Sequence, residues 1–285
     1  MIEVGKFNKL SVESKKDHGY YLIDDVSKER VLLPNSSLEG NVLEIGEKVI
    51  AFIYRDSKDR IIATFKKPLA EVDNLAYLEV VSNTNIGSFI NFGLDRDILV
   101  PIKERLYDLI PGKKYLFYIY LDKTNRLAAT TDIEKYLEIT DKYKINEEAI
   151  GTVYGFQQSG NIMIALENLY KAIILKNEYF DIINIGDNLN IRVKKYYEDG
   201  TIGVTTRKKS REERDILQEK ILKYLKENNG FMPYNDKSSP EDIKRVFNES
   251  KNYFKKSLGN LMKKKLIFQD EEGTKLLENY KIHKK

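Results

Sequence analysis

The feature that most limits what this 285-residue chain can fold into is internal repetition. Three segments open with a strand-like run, "VGKFNKLSVES", "AYLEVVSNTN" and "IGTVYGFQQS". Each is followed by a glycine and a second run: Gly19 with "YYLID", Gly87 with "SFINF", Gly160 with "NIMIAL". A third run closes on "VLLP", "ILVP" or "IILK", a fourth starts at Gly46, Gly112 and Gly186, and a fifth reads "DRIIATFKK", "NRLAATTDI" or "GTIGVTTRK". Two landmarks move together: Gly46, Gly112 and Gly186 are 66 and 74 residues apart, while Thr64, Thr130 and Thr205 are 66 and 75 apart. Runs of β-branched and aromatic residues separated by turn signals are strand chemistry. Five short strands with a longer connection between the third and fourth match a small Greek-key barrel of OB type. The expectation is three tandem five-stranded barrels over residues 1–68, 69–145 and 146–208.

Beyond Arg207 the period becomes helical. "REERDILQEKILKYLKENNG" sets Ile216, Leu217, Ile221, Leu222 and Leu225 on one face, with Gly230 as a stop. Ser239 is placed to cap a second helix, with Pro240 at its first position. A third helix points Phe254, Leu258, Leu261 and Met262 inward and its lysines outward, and "LIFQDEEGTKLL" reads as two strands around an acidic turn. Three helices and a hairpin over 209–285 are a winged-helix arrangement, whose third helix is the one offered to a nucleic-acid groove. The fold class is therefore multidomain β plus α: three OB-type barrels, then a winged helix.

Charge is unevenly placed. From Arg207 onward there are 21 of the 48 Lys+Arg and 13 of the 44 Asp+Glu, a net +8, which leaves 27 against 31, a net −4, for residues 1–206. A basic end on near-neutral barrels points to an anionic partner, or to a solvated lysine-rich surface. No run approaches the ~20 apolar residues of a membrane span, no secretory leader is visible, and there is no cysteine. A cytoplasmic protein without membrane contact is expected. Two histidines, His18 and His283, do not make a usual zinc site. Neither a phosphate loop nor a nucleophile elbow is present, so no cofactor and no enzymatic activity are expected.

"GSFINFGLDRDILVP" resembles the second and third strands of an S1 RNA-binding domain, and the other two units fit the same frame less closely. Three such units followed by a winged helix resemble the bacterial CvfB (conserved virulence factor B, YitL-like) family. That resemblance implies an RNA-binding regulator of gene expression, virulence included, with no catalysis. It also implies base stacking on exposed aromatics of the second and third strands, with basic residues holding phosphate. Carried over, the platform positions of the second unit are Phe89 and Phe92. In the first unit Tyr21 lies in the matching strand, beside His18 and Tyr20, while Asp24 stands where a second aromatic would be. In the third unit Ile162 is set opposite Phe89, the available aromatics are Tyr154, Phe156 and Tyr170, and Lys176 takes the place held by Pro34 and Pro101.

Strand alternation opposes showing both phenylalanines: Ser88, Ile90 and Phe92 share one face and Phe89 the other, unless the strand ends or bulges between them. Core and platform both stand as readings. In "IRVKKYYEDGT", Arg192, Lys194 and Tyr196 alternate with Lys195, and Arg207 and Lys208 follow, so a positive strip from the third barrel to the winged helix is expected, with a solvated hairpin as the plain alternative. Lys255, Lys256 and Lys263 on the third helix are further phosphate candidates. Single-stranded RNA is the leading partner. The rivals are a protein-binding adaptor of transcription or translation and a duplex-DNA binder using the winged helix.

Overall fold

In a computed structural model, which describes residues 1–179, 181–207 and 210–277, the repeat becomes three closed five-stranded barrels. The first comprises β1 (Phe7–Lys16), β2 (Gly19–Ile23), β3 (Arg30–Pro34), β4 (Lys48–Arg55) and β5 (Ile61–Thr64). The second comprises β6 (Leu75–Asn83), β7 (Gly87–Ile90), β8 (Ile98–Pro101), β9 (Lys114–Leu121) and β10 (Leu127–Thr130). The third comprises β11 (Glu148–Phe156), β12 (Ile162–Leu166), β13 (Tyr170–Ile174), β14 (Asn188–Tyr196) and β15 (Ile202–Thr205). In each, the first three strands form a meander, the third pairs in parallel with the fifth, and the fourth returns to the first.

Both landmarks of the repeat have backbone explanations. Each first strand carries a β-bulge just after a buried valine, Val12, Val80 or Val153. A bulge bends the strand so that it can pair with β2 at one end and β4 at the other, which a small barrel needs. The carbonyl of that valine accepts the N–H of Gly46, Gly112 or Gly186 at 2.8 Å, and the valine N–H donates to the carbonyl one residue later. Thr64, Thr130 and Thr205 end the fifth strands, and each hydroxyl accepts the N–H two residues on at 3.0 Å.

Neighbouring barrels are packed together. Phe52, Tyr54 and Ile62 of the first barrel belong to the same apolar core as Phe92, Phe117 and Ile119 of the second, and the Phe52 and Phe92 rings lie 6.1 Å apart. Around that seam Arg126 pairs with Asp59 at 2.8 Å, Arg96 donates to the Asp56 carbonyl at 2.7 Å, and Lys66 pairs with Asp95 at 2.7 Å. The second and third barrels meet through Leu116, Ile133, Tyr154 and Ala165, with the Tyr77 hydroxyl donating to the Gly186 carbonyl at 2.7 Å.

The carboxyl-terminal unit holds α1 (Ser210–Glu227), β16 (Phe231–Met232), α2 (Pro240–Phe247), α3 (Lys251–Lys263), β17 (Ile267–Gln269) and β18 (Thr274–Leu276), its strands ordered β16-β18-β17. Ser239 caps α2 by accepting the Asp242 N–H. Leu217, Ile221, Leu225, Ile243, Phe254 and Leu258 are among the residues that close its core. Ile216 and Met262, expected inward, lie at the edges of their helical stripes and are exposed, and β16 is a strand the periodicity did not mark.

These packing arrangements set the response to three substitutions. Phe92→Ala, which empties a site shared by two barrels, should cost about 3–5 kcal/mol, read as a lowered denaturation midpoint. At Gly87 the backbone has φ +155° and a methyl group would run into the Val100 carbonyl oxygen. Gly87→Ala should therefore destabilise by more than ~1 kcal/mol. Gly259, in the interior of α3 with nothing near its Cβ position, should respond oppositely, gaining about 0.5–1 kcal/mol as alanine.

Candidate nucleic-acid interface

Strand pairing fixes which residues occupy the outward row of the second and third strands. Tyr21 faces Leu32, Phe89 faces Leu99 and Met163 faces Ile173. Leu32, Leu99 and Ile173 in turn face residues two before the landmark threonines, Ile62, Ala128 and Gly203. The stacking position of the third barrel is therefore Met163, not Ile162, which points into the core. The reason is one extra residue in the turn: Gly160 sits before the strand, and Asn161 takes the place of Gly19 and Gly87. The same shift moves Lys176. The residue preceding the short 3-10 turn is Pro34, Pro101 and Leu175, and Lys176 is the first residue of the turn itself.

Two aromatics expected on the surface are in the interior. Phe92 is 1% exposed because the alternation of Ser88 and Ile90 continues past the end of β7. Tyr154 is 5% exposed: it is the unpaired residue of the β11 bulge, which aims it into the contact with the second barrel. Burial pushes its hydroxyl well above the ordinary tyrosine range. Phe89 and Tyr21 are half-buried on the outward face, Phe156 is 43% exposed at the end of β11, and the Tyr170 ring is half-buried, with the Lys142 ammonium 4.3 Å from its centroid. Tyr21 meets the edge of His18 at 5.9 Å between ring centres.

The row on the second barrel lies in a groove of ≈ 350 Å³ whose floor includes Phe89 and Leu99, with Tyr120 beside them. Four cations line it, Arg55, Arg96, Lys103 and Arg126, against the carboxylates of Asp97 and Asp122. Tyr54 and Arg55 come from the first barrel, so the groove is complete only in the docked pair. Burial pushes the Asp122 carboxyl up, but hydrogen bonds from Thr124 and Arg126 outweigh it and hold it low. Sequence reading missed Tyr120, Arg96, Lys103 and Arg126. One signal was available: the turn between the fourth and fifth strands repeats as Asp59-Arg60 and Asn125-Arg126.

The corresponding groove on the third barrel, ≈ 600 Å³, has the opposite balance: Lys171 alone against Glu134, Glu198 and Asp199. Lys171 is itself paired with Glu134 at 2.7 Å. Of the basic residues expected here, Lys195 faces Gly203 in the outward row, where Tyr120 faces Ala128 in the second barrel, and the others lie elsewhere on the barrel. Arg192 donates to Asn146 at 2.9 Å and to the Arg207 carbonyl at 3.0 Å, and both arginines line a cleft of ≈ 520 Å³ with Thr205 and Thr206. The Arg207 guanidinium sits 4.4 Å from the centroid of Tyr253 on α3, which brings the last strand of the barrel against the winged helix. Lys194 pairs with Glu178 at 2.6 Å, Lys195 lies 4.1 Å from the Tyr197 centroid, and Tyr196 exchanges hydrogen bonds with the Tyr143 backbone. Lys255, Lys256 and Lys263 are exposed on α3, with Asp236 3.6 Å from Lys255. Lys208 lies outside the described residues.

Among the described residues no cluster of His, Cys, Asp or Glu is arranged to hold a metal, and no helix is long and apolar enough to cross a membrane. An S1 domain family model matches residues 4–66, and a model described as "CvfB-like winged helix domain" matches 219–276. The "Uncharacterized protein YitL" of Bacillus subtilis is 34% identical over 93% of this chain and 91% of its own length. A "Conserved virulence factor B" of Staphylococcus epidermidis is 31% identical over 87% and 86%. A crystal structure from Streptococcus pneumoniae, described as a multidomain protein with nucleic acid binding domains, superposes with a TM-score of 0.51 at 26% identity, covering 96% of this chain and 98% of that one. Three S1-type barrels, a winged helix of the matching type and relatives aligned over nearly the whole length together place this chain in the CvfB family.

Proposed function

We propose that the chain binds nucleic acid, specifically single-stranded RNA, and acts as a regulator of gene expression. The observation that carries this is the contact of Arg207 with Tyr253, which joins the cationic face of the third barrel to α3. The phosphate-binding cations of this reading are Arg192, Lys194 and Arg207 on the barrel side of that contact and Lys255, Lys256 and Lys263 on α3. An exposed ion pair such as Lys255–Asp236 contributes little to stability, so a phosphate competes for its ammonium group at small cost. Bases have their stacking surface on Phe89 in the second barrel, whose rim is cationic. A base on an aromatic ring is worth about 1–3 kcal/mol and is tolerant of sequence.

The duplex-DNA reading is opposed by the wing. Its tip carries Asp270, Glu271 and Glu272, and Lys275 is held by two of them, Asp270 at 2.7 Å and Glu272 at 3.2 Å. An acidic wing repels the duplex backbone that flanks a recognition helix.

The test is binding of a fluorescent mixed-sequence RNA to the whole chain across a salt series, with a strand of about 20 nucleotides, longer than the ~4–16 that one OB fold occupies. Replacing Lys194, Lys255, Lys256 and Lys263 by glutamine should weaken binding and flatten the log-log salt slope by about 0.7 for each phosphate that is no longer neutralised. Phe89→Ala should cost about 1–3 kcal/mol with the slope unchanged. Unaltered affinity in the lysine variant removes the seam from the binding surface, and preference for duplex DNA over RNA overturns the single-strand assignment.

A further inference from the structure

We propose that the groove on the third barrel is a protein-docking site, taking an extended segment in which an apolar side chain lies next to a lysine or arginine. It occupies the position where the second barrel has its stacking groove, between the outward face of β12 and β13 and the turn joining β14 to β15. It differs from that groove at the stacking position and in the balance of charge, while Tyr196 and Tyr197 still contribute rings to its wall. Met163 stands where Tyr21 and Phe89 offer flat rings. A thioether on a flexible chain moulds itself to aliphatic and aromatic side chains and is common on surfaces that accept peptides. Ile173 and Leu175 extend this apolar floor.

Charge selects the occupant. Lys171 pairs with Glu134, and Lys195, opposite Gly203 in the same row and 4.1 Å from the centroid of the groove-lining Tyr197 ring, is the other cation beside it, so the three carboxylates of Glu134, Glu198 and Asp199 outnumber the two lysines. Asp199 is held below the usual carboxylate range by hydrogen bonds from the Thr201 backbone and hydroxyl, so its charge persists at neutral pH. A phosphodiester entering here meets two carboxylates, whereas a guanidinium or ammonium meets complementary charge. The volume, ≈ 600 Å³ against ≈ 350 Å³ in the second barrel, accommodates a side chain together with flanking backbone. The two grooves thus divide between an anionic ligand and a cationic one.

Methionine methyl resonances read this directly, because the chain has four methionines: Met1, Met163, Met232 and Met262. Whole protein labelled with ¹³C at the methionine methyls is titrated with a blocked hexapeptide alternating leucine and arginine, with the same peptide carrying glutamate for arginine, and with dodecauridylate. The expected result is a saturable shift of Met163 with the arginine peptide alone, weakened about tenfold by Glu198→Lys. Met262, on α3, is expected to answer to the RNA. A response of Met163 to the RNA instead of the peptide, an equal response to both peptides, or silence with the arginine peptide each overturns the docking site. Silence of Met262 with RNA would bear on the RNA seam and leave the groove assignment to Met163.

Discussion

Each barrel depends on a two-ended backbone clamp at one valine. Val12, Val80 and Val153 accept from the glycine that opens the fourth strand and donate to the residue after it, and the bulge that follows turns the rest of the strand toward its other neighbour. A sheet this small curls into a closed cylinder only if its first strand serves two partners, and an unbulged strand of the same length would leave one row of N–H and C=O groups unpaired. The clamp also decides the aim of the bulged residue. In the second barrel that residue is Val81, which is exposed, and in the third it is Tyr154, which fills the contact with the preceding barrel. In the third barrel one backbone device therefore both closes the barrel and supplies a side chain for joining it to its neighbour.

Once closure is fixed, alternation divides each strand between core and surface, and chemistry is free to diverge only on the outward row. Tyr21, Phe89 and Met163 share one structural position, yet only the first two present a ring. The flanking turns diverge in step: the arginine of "NR" in the second unit is Thr201 in the third, and the neighbouring Glu198 and Asp199 reverse the sign of the rim. Three copies of a fold have in this way acquired different surface chemistry without altering the buried frame.

The same division between frame and surface accounts for what the sequence did and did not make legible. Barrel number and strand order were readable because the glycine and threonine landmarks answer to hydrogen bonds that every copy must make, and the winged helix because its helical period and the Ser239-Pro240 start are local signals. Gly160 misled by a single residue: a glycine in the turn looks like the glycine at a cross-strand approach, and since side chains alternate with period two, a slip of one exchanges Ile162 for Met163. Phe92 was ambiguous for a related reason, since strand identity ends at Ile90 while the inward alternation does not. The docking of barrels was beyond reach. Phe52, Phe92 and Tyr154 are apolar or aromatic whether they face their own core or a neighbour's, and only the packing in three dimensions distinguishes these.

The joints differ in kind along the chain. The first two barrels share a continuous apolar core ringed by arginine ties, and the second and third share a smaller one. The described contacts between the third barrel and the winged helix are polar: the Arg207 guanidinium against Tyr253, and Asn248 donating to Asp181 at 3.0 Å. Apolar joints hold grooves in fixed relation, whereas polar joints bordered by cations exchange their partners readily with a charged ligand. A nucleic-acid strand lying along that last seam would replace internal neutralisation by Glu178 and Asp236 with its own phosphates. Binding there would then stiffen a joint whose described contacts are polar, which couples occupancy of the seam to the orientation of α3 relative to the barrels.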